Sequence, residues 1–291
     1  MVKSKYAKAV DVLVALVCLL LILICLLPML NILSRSLSSS QALINRRVYI
    51  FPVEATLESY RYVLRDAAFT RSLWWTALLT LAGTIVSMTM TILCAYPLTY
   101  DALKGRKLIN TVIILTMYFS AGTIPNYILM RDLKLLDNPL VLIIPNCLSV
   151  FNMIILRSFF YSVPESLRES AELDGANPFI VLVRIYLPLS TSVLATLVLF
   201  YAVGRWNGFS DALMYTTTAK YAPIQLKLYQ IINNLSAIDT AQQEGIAGSA
   251  PAVSEGLKAA AVMFATIPIL VVYPWLQKYF ITGVTIGAVK G

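Results

Sequence analysis

The side chains best equipped for chemistry are gathered in Ser162–Phe179, SVPESLRESAELDGANPF, the most charged segment of a largely apolar chain. Glu165, Glu169 and Glu172 recur at helical spacing, so a helix here carries one acidic face beside a single cation, Arg168. Val163, Leu167 and Ala171 stand four apart and form an apolar face on the same helix. Ser162 and Glu165 have the S-x-x-E spacing of a capping box, Pro164 is tolerated in a first turn, and Gly175 supplies the left-handed position that ends a helix. The spacing therefore predicts a helix over about 163–174, then a second turn capped by Asn177 and opened by Pro178.

The chemistry such a helix offers is recognition. The chain holds no histidine, which removes His-based zinc sites, the commonest general base and any Ser-His-Asp triad. No phosphate loop of the form GxxxxGK followed by Ser or Thr occurs either, so the chain itself does not hydrolyse ATP. No catalytic or metal-ligating set is expected. An amphipathic helix can lie on a membrane, but cytoplasmic leaflets are anionic and helices that bind them present Lys and Arg. Three glutamates fit a basic protein partner better.

The elements that must position this helix are membrane spans. Of 291 residues 58% are hydrophobic and 13% charged, far from the balance of a soluble domain. Apolar runs predict an all-α membrane protein with six spans over about 10–33, 73–97, 108–130, 139–160, 185–204 and 259–280. They form a single domain over 1–291, with a charged loop at 161–184 and two larger loops at 34–72 and 205–258. Lys3, Lys5 and Lys8 before the first span, with Lys104, Arg106 and Lys107 in the second loop, place both termini in the cytoplasm. The first run is long and lacks a small-x-small end, so it reads as a retained span. Leu57, Tyr60, Val63 and Leu64 predict a short helix in the first outer loop, whereas Asn233–Gly256 has the composition of a flexible loop. Net charge is +8, but the basic residues are scattered without interleaved aromatics, so no nucleic-acid surface is expected. Cys18, Cys25, Cys94 and Cys147 lie in apolar runs without CxxC spacing and read as packing thiols.

Spans three and four share an echo, TIPN at Thr123–Asn126 and IIPN at Ile143–Asn146. One reading is a pair of proline kinks whose freed carbonyls the asparagines satisfy. The other is that Asn126, Asn146 and Asn152 face a wet path, because polar groups at membrane depth usually face a protein interior or a cavity.

Glu169-Ser170-Ala171, then Gly175, then Ile185-x-Leu187-Pro188 resembles the EAA loop of the permease subunits of binding-protein-dependent ABC importers, every gap matching and Ser170 replacing the first Ala. ELDGANPF, RWNGFSDALMY and the tail YPWLQKYFITGVTIGAVKG are similar to the carbohydrate branch, in particular the smaller maltose-transporter permease and permeases for complex oligosaccharides and polysaccharide fragments. The resemblance implies the type I importer fold in the cytoplasmic (inner) membrane of a prokaryote. It also implies a second homologous permease, an extracytoplasmic solute-binding protein and two ATP-binding subunits that hold ATP and Mg, this chain holding no cofactor. The EAA loop would then be an ATPase-coupling helix formed by Glu165, Leu167, Glu169, Ser170, Ala171, Glu172, Asp174 and Gly175, backed by Ile185, Leu187 and Pro188. In that family Glu169 accepts bonds from the ATPase cleft, Ala171 and Gly175 allow close approach, and Leu167 packs. By the same resemblance Gly287–Gly291 reaches toward the ATPases and the 207–258 loop toward the binding protein's cleft. The rival readings are a non-sugar cargo, a secondary transporter, against which stands the lack of a carboxylate at any span centre, and a membrane scaffold.

Overall fold

A computed structural model describes the backbone over 5–243 and 253–288; it is helical, with no strand among the described residues. In chain order the helices are α1 (Lys5–Ser36), α2 (Ser40–Ile44), α3 (Glu58–Arg65), α4 (Ala67–Ala95), α5 (Arg106–Leu115), α6 (Thr123–Asp132), α7 (Val150–Tyr161), α8 (Glu165–Leu173), α9 (Pro178–Val181), α10 (Leu187–Leu189), α11 (Thr191–Asn207), α12 (Ser210–Tyr215), α13 (Ile224–Gln243) and α14 (Val253–Ala288). A π turn over Leu182–Tyr186 joins α9 to α10. Three stretches are long and apolar enough to cross a membrane, Val10–Ser36, Ala67–Thr99 and Glu255–Val272. A fourth is a bent pair, Pro178–Leu189 and Thr191–Asn207, turned through 85°.

The expected third and fourth spans are each interrupted. Helix α5 stops at Leu115 and α6 starts at Thr123 after Gly122, which takes φ +88°. A short 3₁₀ turn, Pro139–Leu142, is separated from α7 by the turn 143–149. The proline-kink reading is corrected here: Pro125 occupies the first turn of α6, where a missing N–H costs nothing. Pro145 lies in the non-helical 143–149 turn.

One compact unit comprises Met1–Thr70 with Lys227–Ile267. Residues 10–28 of α1 are exposed throughout, as befits a helix apolar on all sides whose backbone bonds are satisfied internally. The predicted helix in the first loop is α3, anchored by buried Val63 and by Tyr60, whose hydroxyl meets Ser36 Oγ at 2.9 Å. Lys227 pairs with Asp66 at 3.6 Å, Arg35 pairs with Glu255, and Phe69 meets Phe264 edge-on. The flexible-loop expectation fails in part, because α13 runs through to Gln243 and α14 already begins at Val253. Its Leu and Ile residues open a helix that Gln and Ala, good helix formers, prolong. The rest of that expectation, 244–252, and the end of the tail, 289–291, lie outside the described residues.

The other unit comprises Arg71–Leu226 with Pro268–Gly291. Its main core gathers Met153, Leu156 and Phe160 of α7 with Val181, Leu197 and Ala95, all fully or almost fully buried. Tyr96, Phe160 and Tyr186 pack edge-to-face with centroids 5.1–6.2 Å apart, each such pair worth about 0.5–1.5 kcal/mol beyond its buried area. This aromatic knot ties the end of α4, α7 and the π turn into the base that carries α8.

A second tie sets the loop after α6. Asp137 accepts N–H bonds from Thr217 at 3.1 Å and Thr218 at 2.8 Å and a hydroxyl bond from Thr218, while its own N–H reaches Tyr215 O at 2.8 Å. The Thr218 hydroxyl, followed by the backbone donors, holds this carboxyl below the usual carboxylate range. A depressed folded-state value means the tie is complete at neutral pH and is lost only as pH falls through that value. Asp137→Ala should therefore lower the melting temperature and remove protection of the Thr217 and Thr218 amides in hydrogen exchange. Unchanged protection would show that the segment is held by other contacts.

Candidate functional site

Helix α8 begins at Glu165 with Pro164 at its N-cap, two residues inside the expected start. The predicted capping box does not form. Ser162 instead ends α7, donating its hydroxyl to Phe159 O at 2.7 Å, and the Glu165 carboxylate is taken by Arg168. The other end is as expected: Gly175 takes φ +82°, and Ala176 N reaches Ala171 O at 2.9 Å, closing the helix. Asn177 Oδ1 caps the next turn through Ile180 N at 2.9 Å. A Cβ on Gly175 would meet nothing within 4 Å, so within this chain its backbone conformation, not crowding, demands glycine.

The three glutamates, equivalent by sequence, are separated by the structure. Arg168 bonds Glu165 one turn back, lies 3.7 Å from Glu172 one turn on, and stacks 4.8 Å above the Tyr100 ring. Its side chain is only 15% exposed, so the guanidinium is held against the protein, where its single charge faces both of these carboxylates. Glu169 is exposed and has no partner among the described residues. Beside it the apolar side chains divide: Val163, Ala171 and Ala176 pack on the core, while Leu173 is 89% exposed and Leu167 and Phe179 are also exposed. Ser170 and Asp174 are exposed on the same helix end. Within α8 Glu169 is thus the carboxylate without a partner among the described residues, set among bare apolar groups, with Asp174 exposed at the C-cap.

The I-x-L-P residues lie behind it. Ile185 and Leu187 pack against the core, and Leu187 N bonds Leu182 O, five residues back. Pro188 has no N–H, so the α-helical bond to residue 184 cannot form, which suits the wider π turn that precedes it. The chain then bends at Ser190 into α11.

A second polar centre lies at the far end of α11. In the turn 143–149 the backbone has left its helix, and its carbonyls need donors. Arg205 supplies them: its guanidinium bonds Leu142 O, Ile143 O at 3.0 Å and Asn146 O at 2.7 Å. Space for it exists because residue 83 is glycine, whose absent Cβ would sit 3.2 Å from Arg205 Nε. Asn146 Nδ2 donates to Asp211 Oδ2 at 2.6 Å, and Tyr201 OH meets Thr91 Oγ1 at 2.7 Å and accepts Ser149 N at 3.1 Å. These groups border a cavity of about 420 Å³ lined also by Asn152, Phe200 and Gly204. Of the three asparagines singled out by sequence, Asn146 and Asn152 meet in this cavity, and Asn126 stands apart, exposed on α6. Arg205, Asp211 and Gly83 escaped the sequence reading. An arginine ending an apolar run, and a glycine inside one, were the available signals.

Comparison with known proteins shows the family of the chain. A family model described as binding-protein-dependent transport system inner membrane component matches residues 67–286. The chain is 42% identical to Protein LplC of Bacillus subtilis (strain 168) over 91% of its length and 89% of that protein. It is 37% identical to the polygalacturonan/rhamnogalacturonan transport system permease protein YtcP of the same organism, covering 95% and 94% of the two chains. Its fold superposes with a TM-score of 0.87, at 32% identity and over 96% of this chain and 99% of the other, on a crystal structure of a bacterial ABC transporter involved in the import of the acidic polysaccharide alginate.

The Arg205 clamp makes a graded prediction. Arg205→Met strands carbonyls that the turn cannot satisfy itself and should lower the melting temperature by about 5 °C or more. Gly83→Ala demands a shift of only a few tenths of an ångström and should be mild. Gly83→Leu should match Arg205→Met, and the double variant should be no worse than either alone. Additive losses in thermal unfolding would show that the two positions act independently.

Proposed function

The chain belongs to the family of binding-protein-dependent transport system inner membrane components, and we propose that it is the permease subunit of an ATP-driven importer of an oligosaccharide or polysaccharide fragment. It is a transport subunit and not an enzyme. The sugar cargo is supported by YtcP, named for polygalacturonan and rhamnogalacturonan transport, and by the alginate importer. In this reading the chain crosses the membrane six times with both termini in the cytoplasm, the interrupted helix pairs α5 with α6 and Pro139–Leu142 with α7 serving as spans three and four. It pairs with a second homologous permease and receives cargo from an extracytoplasmic binding protein. Two separate subunits bind ATP and Mg.

The observation that carries the reading is the lone Glu169 carboxylate on α8. A helix that engages two of its three glutamates with Arg168 and leaves the third bare beside Leu173 is built to be read from outside. A basic residue in a cleft of the ATPase is its natural complement, and the exposed apolar groups would be buried by the same contact. The aromatic knot beneath α8 gives the contact a stiff mount, so that closure of the ATPases moves the loop as one body. The carboxylates of Glu165 and Glu172 serve instead to hold Arg168.

Purified transporter, with its ATPase subunits and binding protein, should take up oligosaccharide into vesicles only when ATP is present. Glu169→Arg should abolish both uptake and cargo-stimulated ATP hydrolysis while the chain still inserts. Glu165→Gln should weaken them far less, because its carboxylate lies at the exposed end of the pair and Glu172 still faces Arg168. Equal losses for the two variants would overturn the assignment of Glu169, and uptake driven by an ion gradient without ATP would overturn the importer.

A further inference from the structure

Between α2 and α3 the chain runs NRRVYIFP over 45–52, and its apolar side chains are bare. Tyr49 is 71% exposed, Ile50 44% and Phe51 78%, whereas Val48 is buried with Ala42 and Leu43 and Val53 packs on the same cluster. Consecutive exposed groups of this size mark a contact surface. The backbone beneath them is firmly held. Asn31 Nδ2 donates to Tyr49 O at 2.6 Å, Ser34 Oγ donates to Ile50 O, and Val53 N donates to Ser38 Oγ at 3.0 Å. Ser34 and Ser38 are themselves buried, so two buried hydroxyls serve to hold a loop whose own side chains are exposed.

Those bonds fix the level of the loop along α1. Val10–Ser36 has 27 residues, about 40 Å of helix, which exceeds the hydrocarbon layer by about 10 Å. Its unbroken apolar run ends at Leu30, and Asn31, Ser34 and Ser36 follow, so the excess falls at the headgroup level. Tyr49 and Ile50 are tied to Asn31 and Ser34, within that zone, where membrane proteins carry their aromatic belts. The charge of the loop suits the same surroundings. Arg46 is exposed, and Arg47 lies 3.9 Å from Glu54, the carboxylate within 45–57, in an exposed pair. Glu54 also accepts the Ser39 hydroxyl at 2.5 Å.

We propose that residues 46–51 are an interfacial anchor that binds phospholipid of the outer leaflet. Tyr49, Ile50 and Phe51 enter between the headgroups, and Arg46 and Arg47 take the phosphates, for which a planar guanidinium is the better donor. The anchor fixes the depth at which α1 rides in the bilayer. Lipid is favoured over a protein partner by the level of the loop and by its pairing of cations with aromatic rings. The proposal rests on the importer reading above for the leaflet it names.

The test uses the whole transporter, with its ATPases, second permease and added solute-binding protein, in nanodiscs of phosphatidylcholine and phosphatidylglycerol. The photoreactive residue p-benzoylphenylalanine would stand in place of Phe51, and after irradiation the adducts of this chain would be identified by mass. Phospholipid adducts are expected, with phosphatidylglycerol enriched severalfold over its share of the nanodisc, because it carries the net negative charge that two arginines prefer. In the same chain Arg46→Gln with Arg47→Gln should lower that enrichment to the bulk ratio while leaving the melting temperature unchanged, since both side chains are exposed. Adducts to another protein, or none to lipid, would overturn the anchor, and enrichment that survives the double variant would overturn the role of the arginines. Protein adducts in a transporter that still takes up oligosaccharide with ATP would leave the importer reading intact. Lipid adducts without ATP-driven uptake would sink that reading and leave the anchor standing.

Discussion

Arg205 bonded to three carbonyl oxygens is the constraint on which the rest of the second unit's polar architecture depends. Backbone that leaves a helix inside an apolar protein must find donors for its carbonyls, and water is scarce there. One guanidinium, with several N–H groups in a fixed plane, can serve a whole turn at once; a lysine presents a single point of charge. The clamp has two further consequences. It favours a small residue at position 83 of α4, where glycine leaves the guanidinium its room, and it leaves Asp211 to hold the Asn146 side chain. A cavity remains because the turn cannot close down on its own helix.

The same helix that carries Arg205 begins just after the acidic loop. Between Ser190 and Asn207 the backbone is one continuous α-helix, about 25 Å long at 1.5 Å per residue. At its start stand the 85° bend, the π turn and the aromatic knot of Tyr96, Phe160 and Tyr186. The two polar centres of this unit are therefore joined by a rod, each fixed to it by bonds within a few residues of its ends. Irregular backbone is confined to those ends, where a π turn and an unwound segment alter what side chains face.

Much of the acidic helix was legible in the sequence because its signals are local. Gly175 and Asn177 act through the backbone of their own neighbours, so their roles follow from residue type and position. The Ser162–Glu165 capping box failed for an equally physical reason. Glu165 had a second suitor, Arg168, and Ser162 was drawn to the end of α7. The breaks in spans three and four were hidden because hydropathy sums apolar content over a window and is blind to whether the backbone inside it stays helical. In α13 the converse held, where polar composition masked a helix that propagates from an apolar start.

By itself the sequence determined that the chain is helical and membrane-embedded, that it carries an acidic helix with a defined end, and to which family of loops that helix is similar. These follow from composition, period and short-range spacing, quantities that need no knowledge of distant contacts. Tertiary structure alone decided which glutamate is free and which asparagines share a cavity. It also decided that Arg205, 59 to 63 residues from the carbonyls it serves, is the group that holds them. Each of those outcomes is a competition between partners brought together by folding, and such a competition is settled by distance and burial in three dimensions, which spacing along the chain does not encode.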